Sequence, residues 1–326
     1  MGTGVELARA VGDIASRWRG DREERQSRRH LDPVDFQELR DAGLLAAIAP
    51  VAVGGLTSDV ESAVRPMCAL YRELAAADSS VALVSSMHPA VIAFWLASRD
   101  ASQPAWEEQR RAVFAGAGTG QQWGTITSEP GSGGDIGRTR AVAVPVAGDG
   151  PLPGATYAVT GDKHFGSGFG VTDRMMTTAI PAGESAPTIF VLDVAGVPWD
   201  GSAGLTLTAE WDGMGMTATQ SHAMHIDGAV ATRLAWDGPL DDVTRPAGPF
   251  IQSLFTAVVI GIVDEAIAVA REQVRRRSDA LRAFERVEWS RAERDHWLAV
   301  QAFEGALRAV ETGDLRVATH GAHRAK

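Results

Sequence analysis

The chain has 326 residues, more than one domain usually holds, so two or three packed units are expected. Hydrophobic residues make up 45% and charged residues 22% of the chain, which excludes the disordered class of proteins. The formal net charge of -10 leaves no overall basic field, and we expect neither nucleic acid nor a membrane surface as a partner.

The single cysteine, Cys68, excludes intramolecular disulfides and metal clusters built from thiolates. We expect a reducing, cytoplasmic setting, since the N-terminus also lacks the features of a secretion signal. The most apolar stretches are residues 81–97 and 254–263. Both predict core helices that are too short or too broken to span a bilayer, and Pro89 should kink or break the first.

Cap residues mark two helices in the first part of the chain. Asp32 followed by Pro33 predicts a helix start, and Gly43 can close that helix in a left-handed conformation. Ser58 and Glu61 have the spacing of a capping box. The apolar residues that recur at helical spacing after this box are Val64, Met67, Cys68, Tyr71 and Leu74.

The patterning changes from helical to β near residue 121 and returns to helical after Pro249. Glycine and threonine clusters separate runs of β type at 141–146, 155–160, 188–194 and 223–226. Helical spacing is then found over residues 250–277 and 290–310. This order predicts an α+β multidomain chain with a helical domain at 1–122, a β domain at 123–240 and a helical domain at 241–326.

Residues 125–135, Thr-Ile-Thr-Ser-Glu-Pro-Gly-Ser-Gly-Gly-Asp, form the most informative segment. Their glycines permit close approach of the backbone to a flat ring, and the hydroxyls of Thr127 and Ser128 can donate to its carbonyl and N5 region. Such donors would stabilise the negative charge on a reduced flavin. On composition alone, an ordinary hairpin loop is the more frequent explanation.

A second segment, Thr-Gly-Asp-Lys-His-Phe-Gly-Ser-Gly at residues 160–168, predicts a strand, a turn and the start of another strand. The ring of Phe165 can stack on a flat cofactor, and the hydroxyl of Ser167 can donate to it. Taken alone, a segment of this kind is most often a hairpin with a core aromatic residue.

The two segments, in this order and between helical regions, resemble motifs of the acyl-CoA dehydrogenase superfamily. Ser-Glu-Pro-Gly-Ser-Gly-Gly-Asp at 128–135 is similar to the family's Thr-Glu-Pro-x-x-Gly-Ser-Asp. Gly-Asp-Lys-His-Phe-Gly-Ser-Gly at 161–168 is similar to its Gly-x-Lys-x-(Trp/Phe)-Ile-(Thr/Ser)-(Asn/Gly)-Gly. Residues 39–45 with 54–56 resemble its N-terminal helical signature, and residues 211–215 resemble the segment before the strand that leaves the β domain. The resemblance thus extends over nearly the whole chain.

This resemblance implies an N-terminal helical domain, a central β-barrel-like domain and a C-terminal helical bundle that looks shortened. It also implies bound FAD shared between the subunits of a homodimer or homotetramer. The residues implied to line the isoalloxazine ring are Thr127, Ser128, Gly133, Gly134, Phe165 and Ser167. Arg277 or Phe284 would hold the adenosine diphosphate part of FAD. The chain departs from the family at Gly134, where serine is usual, and at Thr217, where arginine is usual.

The activity implied is α,β-dehydrogenation of an acyl thioester, carried by CoA or by an acyl-carrier protein, with a protein as possible electron acceptor. Two alternatives remain open. One is a flavin monooxygenase of the same fold, in which reduced flavin reacts with oxygen and no dedicated carboxylate base is needed. The other is a flavin-binding or dimerising protein without catalysis.

Dehydrogenation needs a carboxylate near the substrate Cα, and the sequence supplies none where the family has it. One family position falls within residues 249–260, which hold no Asp or Glu. The other lies near the chain end of family members, which usually extend beyond a point like Lys326. Asp264 and Glu265 are the nearest acids, and we expect solvated or capping roles for them. The catalytic residues stay unassigned, and the chain is expected to be a poor dehydrogenase.

The histidines suggest no metal site. His222 and His225 lie three apart on a predicted strand and should face opposite sides. His88 is expected to be packed beside the active-site cavity, with ligand contact as the less frequent alternative. The three arginines at 275–277 are expected on a solvated helix face, although a cofactor phosphate would also suit them.

Overall fold

We describe the protein from a computed structural model, which defines residues 3–98, 102–132 and 135–314. The first part of the chain is helical, as predicted. Its α-helices are α1 Gly4–Gly20, α2 Arg22–Ser27, α3 Pro33–Asp41, α4 Leu44–Ala47, α5 Val60–Ala77, α6 Ser79–Ala97 and α7 Pro104–Gly118. The predicted cap of α3 is confirmed, because the Asp32 side chain accepts a hydrogen bond from the Val34 amide and Gly43 has φ 85°.

Two details of the helical prediction are wrong. The side chain that caps α5 is Asp59, which accepts from the Ser62 amide, and not Ser58. Helix α6 continues through Pro89 without a break. Tertiary packing explains why α6 is not broken at Pro89. Because α6 is buried over nearly its whole length, the free energy gained by burying its apolar side chains outweighs the loss of the one backbone hydrogen bond that a proline removes.

The middle of the chain forms one sheet. Its strands are β1 Trp123–Thr125, β2 Val142–Pro145, β3 Thr156–Gly166, β4 Arg174–Pro181, β5 Thr188–Asp193, β6 Leu205–Ala209 and β7 His222–Arg233. Strands β4, β2, β3, β7 and β5 pair in that order, and β5 pairs again with β4, so these strands close into a ring. This arrangement agrees with the predicted barrel-like unit. Strand β1 adds to β4 in parallel, and β6 adds to β7.

The sequence missed β4 and β6 and ended β3 too early. The segment at 160–168, predicted to turn in its middle, continues as strand to Gly166. Strand β4 was missed because both of its faces are covered, with Met175 in the barrel core and Met176 against the helices. A strand buried on both faces lacks the alternation of polar and apolar residues that identifies most strands.

Two long helices follow the sheet, α8 Asp241–Arg276 and α9 Ala283–Glu311. Helix α8 begins before the predicted start, and Pro246 and Pro249 lie inside it. Both α6 and α8 are long and apolar enough to cross a membrane by length and composition, contrary to our expectation from the sequence. The apolar window of α6 is 89% buried within the protein, whereas that of α8 is 39% buried, so the core interpretation is fully supported for α6 alone.

The buried residues form two clusters. One fills the barrel, with Ile126, Phe169 and Phe190 among its members. The other unites the helices with the outer side of the sheet, and it includes Val64 of α5 and Trp123 of β1. Residues on both sides of positions 122 and 240 belong to this second core, so the domain boundaries expected there stay predictions.

Candidate functional site

The two predicted flavin segments lie side by side at one end of the barrel. The Ser128 carbonyl accepts a hydrogen bond from the His164 amide at 2.8 Å, which pairs the first segment with the end of β3. Thr127 and Ser128 are only partly buried, so their hydroxyls can reach a ligand. Gly133 and Gly134 lie outside the described residues.

Phe165 occupies an uncommon position. Its φ of 57° is in the left-handed region, and its side chain is 58% exposed. The other non-glycine residues with positive φ among those described are Met216 and Gln220. The ring of Phe165, near the end of β3, lies edge-on to that of Trp211, with the centroids 6.2 Å apart, and Trp211 Nε1 donates to the Met216 carbonyl at 3.0 Å. Backbone conformations of this kind cost free energy and concentrate at binding sites.

Ser167 is buried and belongs to a chain of hydroxyl groups. Its Oγ lies 2.7 Å from Ser221 Oγ, which lies 2.7 Å from Thr219 Oγ1. Thr219 in turn donates to the Met216 carbonyl at 3.0 Å. The hydroxyl of Ser167 is thus held by protein partners. Sequence reasoning missed Thr219 and Ser221, although the polar run after Met216 was a visible signal.

The glycines that flank Ser167 are needed for packing within the protein. A Cβ added at Gly166 would lie 2.6 Å from the ring of Phe169. A Cβ added at Gly168, which has φ 84°, would lie 2.6 Å from Val84 of α6. These close approaches fix the segment between the barrel core and α6, a packing role of Gly166 and Gly168 that the sequence analysis did not address.

A buried ion pair links the two predicted flavin segments, residues 125–135 and 160–168. Lys163 Nζ, with a fully buried side chain, lies 2.6 Å from Glu129 Oε1 and donates to the Thr178 carbonyl at 2.7 Å. Burial raises the pKa of Glu129, but hydrogen bonds from Lys163, Thr139 and the Arg140 amide outweigh that effect, and its pKa lies below the ordinary value. Burial lowers the pKa of Lys163, and Glu129 opposes this shift. Sequence reasoning assigned no role to either residue.

His88 is fully buried and contacts the backbone on both sides of its ring. Its Nε2 lies 2.7 Å from the Leu45 carbonyl, and its Nδ1 accepts from the Trp123 amide at 3.2 Å. Burial lowers its pKa to about 4, with Arg40 adding to the shift. The neutral ring therefore joins α6 to β1, and the alternative of ligand contact is not supported.

The acids Asp264 and Glu265 of α8 are held in ion pairs. Asp264 Oδ1 accepts from Arg72 at 3.0 Å and lies 2.7 Å from His296 Nε2. Glu265 pairs with Arg22 and lies 3.4 Å from Arg19. Both acids are thus partly exposed and paired with cationic side chains that are distant in sequence, which the expectation of solvated or capping roles did not include.

Arg277 and Phe284 lie at the corner between α8 and α9, and both are exposed. Arg277 Nη2 is 3.9 Å from Glu285, and the guanidinium of Arg282 is 6.0 Å from the Phe284 ring. These contacts stay within the corner, so an FAD contact of either residue remains a prediction. The neighbouring Arg275 and Arg276 both pair with Glu272 on an exposed helix face, as expected.

The histidines of β7 face opposite sides, as predicted. His222 is buried and its Nδ1 accepts from the Trp211 amide, whereas His225 lies 2.7 Å from Asp162 at the surface. In the described ranges, no group of three or more His, Cys, Asp or Glu side chains is arranged to hold a metal ion.

A cavity of about 660 Å³ lies between the turn that joins α5 to α6, the loop at 214–217 and the second half of α8. Its apolar lining includes Met214, Met216 and Ile262. Thr217, at the position where the family has arginine, donates to the Arg28 carbonyl at 2.8 Å and so fixes this loop to the end of α2. A volume of this size suits a small organic molecule.

Comparison with known proteins gives three informative similarities, while no protein-family model matches the chain. Dibenzothiophene monooxygenase from Mycolicibacterium goodii is 26% identical over 293 residues, which are 84% of this chain and 63% of that protein. The chain thus spans less than two thirds of the length of this relative.

Two solved structures share the fold. The structure of FMN-bound TdsC from Paenibacillus sp. A11-2 has a TM-score of 0.75 and 19% identity, and the match covers 98% of this chain and 84% of that one. Butyryl-CoA dehydrogenase from Megasphaera elsdenii has a TM-score of 0.74 and 18% identity, with 99% and 84% covered. The resemblance to the acyl-CoA dehydrogenase superfamily is therefore confirmed at the level of the fold.

Proposed function

We propose that the protein is a flavin-dependent monooxygenase with the acyl-CoA dehydrogenase fold. The observation that carries this proposal is the similarity to dibenzothiophene monooxygenase over 84% of this chain; in addition, residues 249–260 of α8 contain no Asp or Glu, and Asp264 and Glu265 are ion-paired. Removal of the Cα proton from an acyl thioester needs a carboxylate base, and residues 249–265 supply none outside an ion pair. Oxygen transfer needs no such group, and the relative from Mycolicibacterium goodii is named a monooxygenase. Acyl-thioester dehydrogenation, our first expectation, is the less supported activity.

The residues of the barrel end fit a flavin ring. Thr127 and Ser128 present partly buried hydroxyls, and Phe165 presents an exposed aromatic face beside them. When bound and reduced, the flavin would supply the electrons that activate oxygen. The chain's own residues would bind and orient the ring, and the hydroxyls of Ser167, Ser221 and Thr219 would hold a proton beside it.

The identity of the flavin, the source of its electrons and the oligomeric state are also proposals. We expected FAD, whereas TdsC was solved with FMN, so both flavins belong in the test. A separate reductase in the cytoplasm would supply reduced flavin in place of the acyl-CoA partner. A homodimer or homotetramer would cover the exposed apolar side chains of α8 and α9, which are Val269, Phe284, Val287, Trp297 and Leu298.

The purified protein is expected to oxygenate dibenzothiophene when supplied with oxygen and chemically reduced FMN or FAD. The product would carry one added oxygen atom, detected by mass spectrometry with labelled oxygen gas. A set of saturated acyl-CoA thioesters under nitrogen serves as the control and should leave the flavin absorbance unchanged. Bleaching by an acyl-CoA, without oxygenation of any apolar substrate, would show that the dehydrogenase interpretation is correct.

Replacing Glu265 with glutamine is expected to leave the oxygenation rate within about twofold of the unaltered protein, because this carboxylate pairs with Arg22 and Arg19. Loss of a partly exposed ion pair should cost at most about 1 kcal/mol of stability. Initial rates and the urea unfolding midpoint measure the two effects. A rate that falls a hundredfold, with unchanged stability, would identify Glu265 as the missing catalytic acid.

A further inference from the structure

We propose that the buried ion pair of Lys163 and Glu129 is a positioning device that holds the two flavin segments in register and thereby sets flavin affinity. The inference rests on the proposed function and deepens it. Neither residue needs to touch the cofactor. Each acts through the residue beside it, Glu129 through Ser128 and Lys163 through His164, which continues β3 to Phe165.

The ion pair connects the first flavin segment to three other parts of the barrel. Glu129 Oε2 accepts from the Arg140 amide at 2.7 Å, and Glu129 Oε1 accepts from the Thr139 hydroxyl and from Lys163. Lys163 also donates to the Thr178 carbonyl of β4. Glu129 therefore fixes the first flavin segment to Lys163 of β3 and to the residues just before β2, and Lys163 extends the connection to β4.

Glu129 and Lys163 are adjacent in sequence to residues that are predicted to contact the flavin or that pair with them. Ser128 precedes Glu129, and its carbonyl accepts from the amide of His164, the residue after Lys163. Phe165 follows in the left-handed conformation. A shift of Glu129 would move the Ser128 hydroxyl, and a shift of Lys163 would move the Phe165 ring, so one buried contact controls both sides of the ring site.

Burial makes the pair a rigid contact. Water does not compete for the ammonium group, since the Lys163 side chain is fully buried and Glu129 is 6% exposed. A buried pair of this kind is weak evidence for stability, because well-packed apolar residues can replace it. Its place within the segment that is predicted to approach the ring points to a role in geometry.

The test compares Lys163→Met and Glu129→Gln with the double variant that carries both changes. Each is titrated with FMN and with FAD by fluorescence quenching, well below its own unfolding temperature. The single variants are expected to bind flavin on the order of tenfold more weakly, since residues that orient a binding group typically contribute that much. The double variant leaves no unpaired charge, so it should regain stability while its flavin affinity stays low.

A matched control uses a second buried ion pair, that of Arg25 and Asp35, whose side chains are 5% and 7% exposed. Asp35→Asn should lower the unfolding temperature without changing flavin affinity, because this pair joins α2 to α3. Flavin affinity that recovers with stability in the double variant, or that falls equally in Asp35→Asn, would overturn the inference alone. Absence of flavin binding by the unaltered protein would overturn both the proposed function and the inference.

Discussion

Replacing Gly261 with alanine is expected to lower the free energy of unfolding by about 3 kcal/mol. Helix α8 crosses α5 at this glycine. A Cβ added there would lie 2.2 Å from the Arg72 carbonyl oxygen and 2.9 Å from Ala75 Cβ. Because the nearest atom belongs to the backbone, the contact can be relieved only by separating two buried helices. Urea unfolding followed by circular dichroism measures the change.

Gly305 supplies the control for this substitution, since it lies in α9 and a Cβ added there would meet nothing within 4 Å. Gly305→Ala should stabilise the protein by about 0.5–1 kcal/mol through helix propensity. The same change from glycine to alanine is therefore expected to lower the free energy of unfolding in α8 and to raise it in α9. If Gly261→Ala also proved stabilising, the close crossing of α5 and α8 would be wrong.

The stability of the protein is expected to fall by up to about 3 kcal/mol between pH 6.5 and pH 4 because of His88. Burial lowers the pKa of this ring from 6.5 to about 4 in the folded protein. The unfolded chain therefore takes up a proton at a higher pH than the folded protein does. The stabilisation is complete above pH 6.5 and is lost as the pH falls towards 4. Urea midpoints measured across this range test the slope.

His88→Gln separates this effect from the titration of other groups. Glutamine cannot take up a proton, so the part of the pH slope that comes from His88 should disappear. The variant should also be less stable at pH 7, because the contacts with the Leu45 carbonyl and the Trp123 amide are changed. An identical pH slope in the variant and the unaltered protein would show that His88 is not the linked group.

Local chemistry in the sequence predicted the flavin segments and most of the helices. The glycine, hydroxyl and aromatic content of residues 125–135 and 160–168 made a flavin site possible, and the resemblance to the acyl-CoA dehydrogenase superfamily implied it. Helix starts such as that at Asp32 depend on hydrogen bonds within one turn, so the sequence determines them directly. Residue patterning predicted helices, then strands, then helices, and the described elements follow this order, while the resemblance to the acyl-CoA dehydrogenase superfamily is confirmed at the level of the fold.

Tertiary structure decided the features that depend on partners distant in the chain. Glu129 meets Lys163 across 34 residues, and Ser167 meets Ser221 across 54, so neither pairing is encoded in local spacing. The ion pairs of Asp264 and Glu265 likewise join α8 to distant helices, with Arg72 of α5 and Arg22 of α2 as partners, and the local sequence around the two acids does not encode them. The sequence by itself thus determined the helix starts and the two segments predicted to meet a flavin, because both depend on residues close together in the chain, whereas long-range packing and charge pairing decided how the side chains of those segments and the acids of α8 are held.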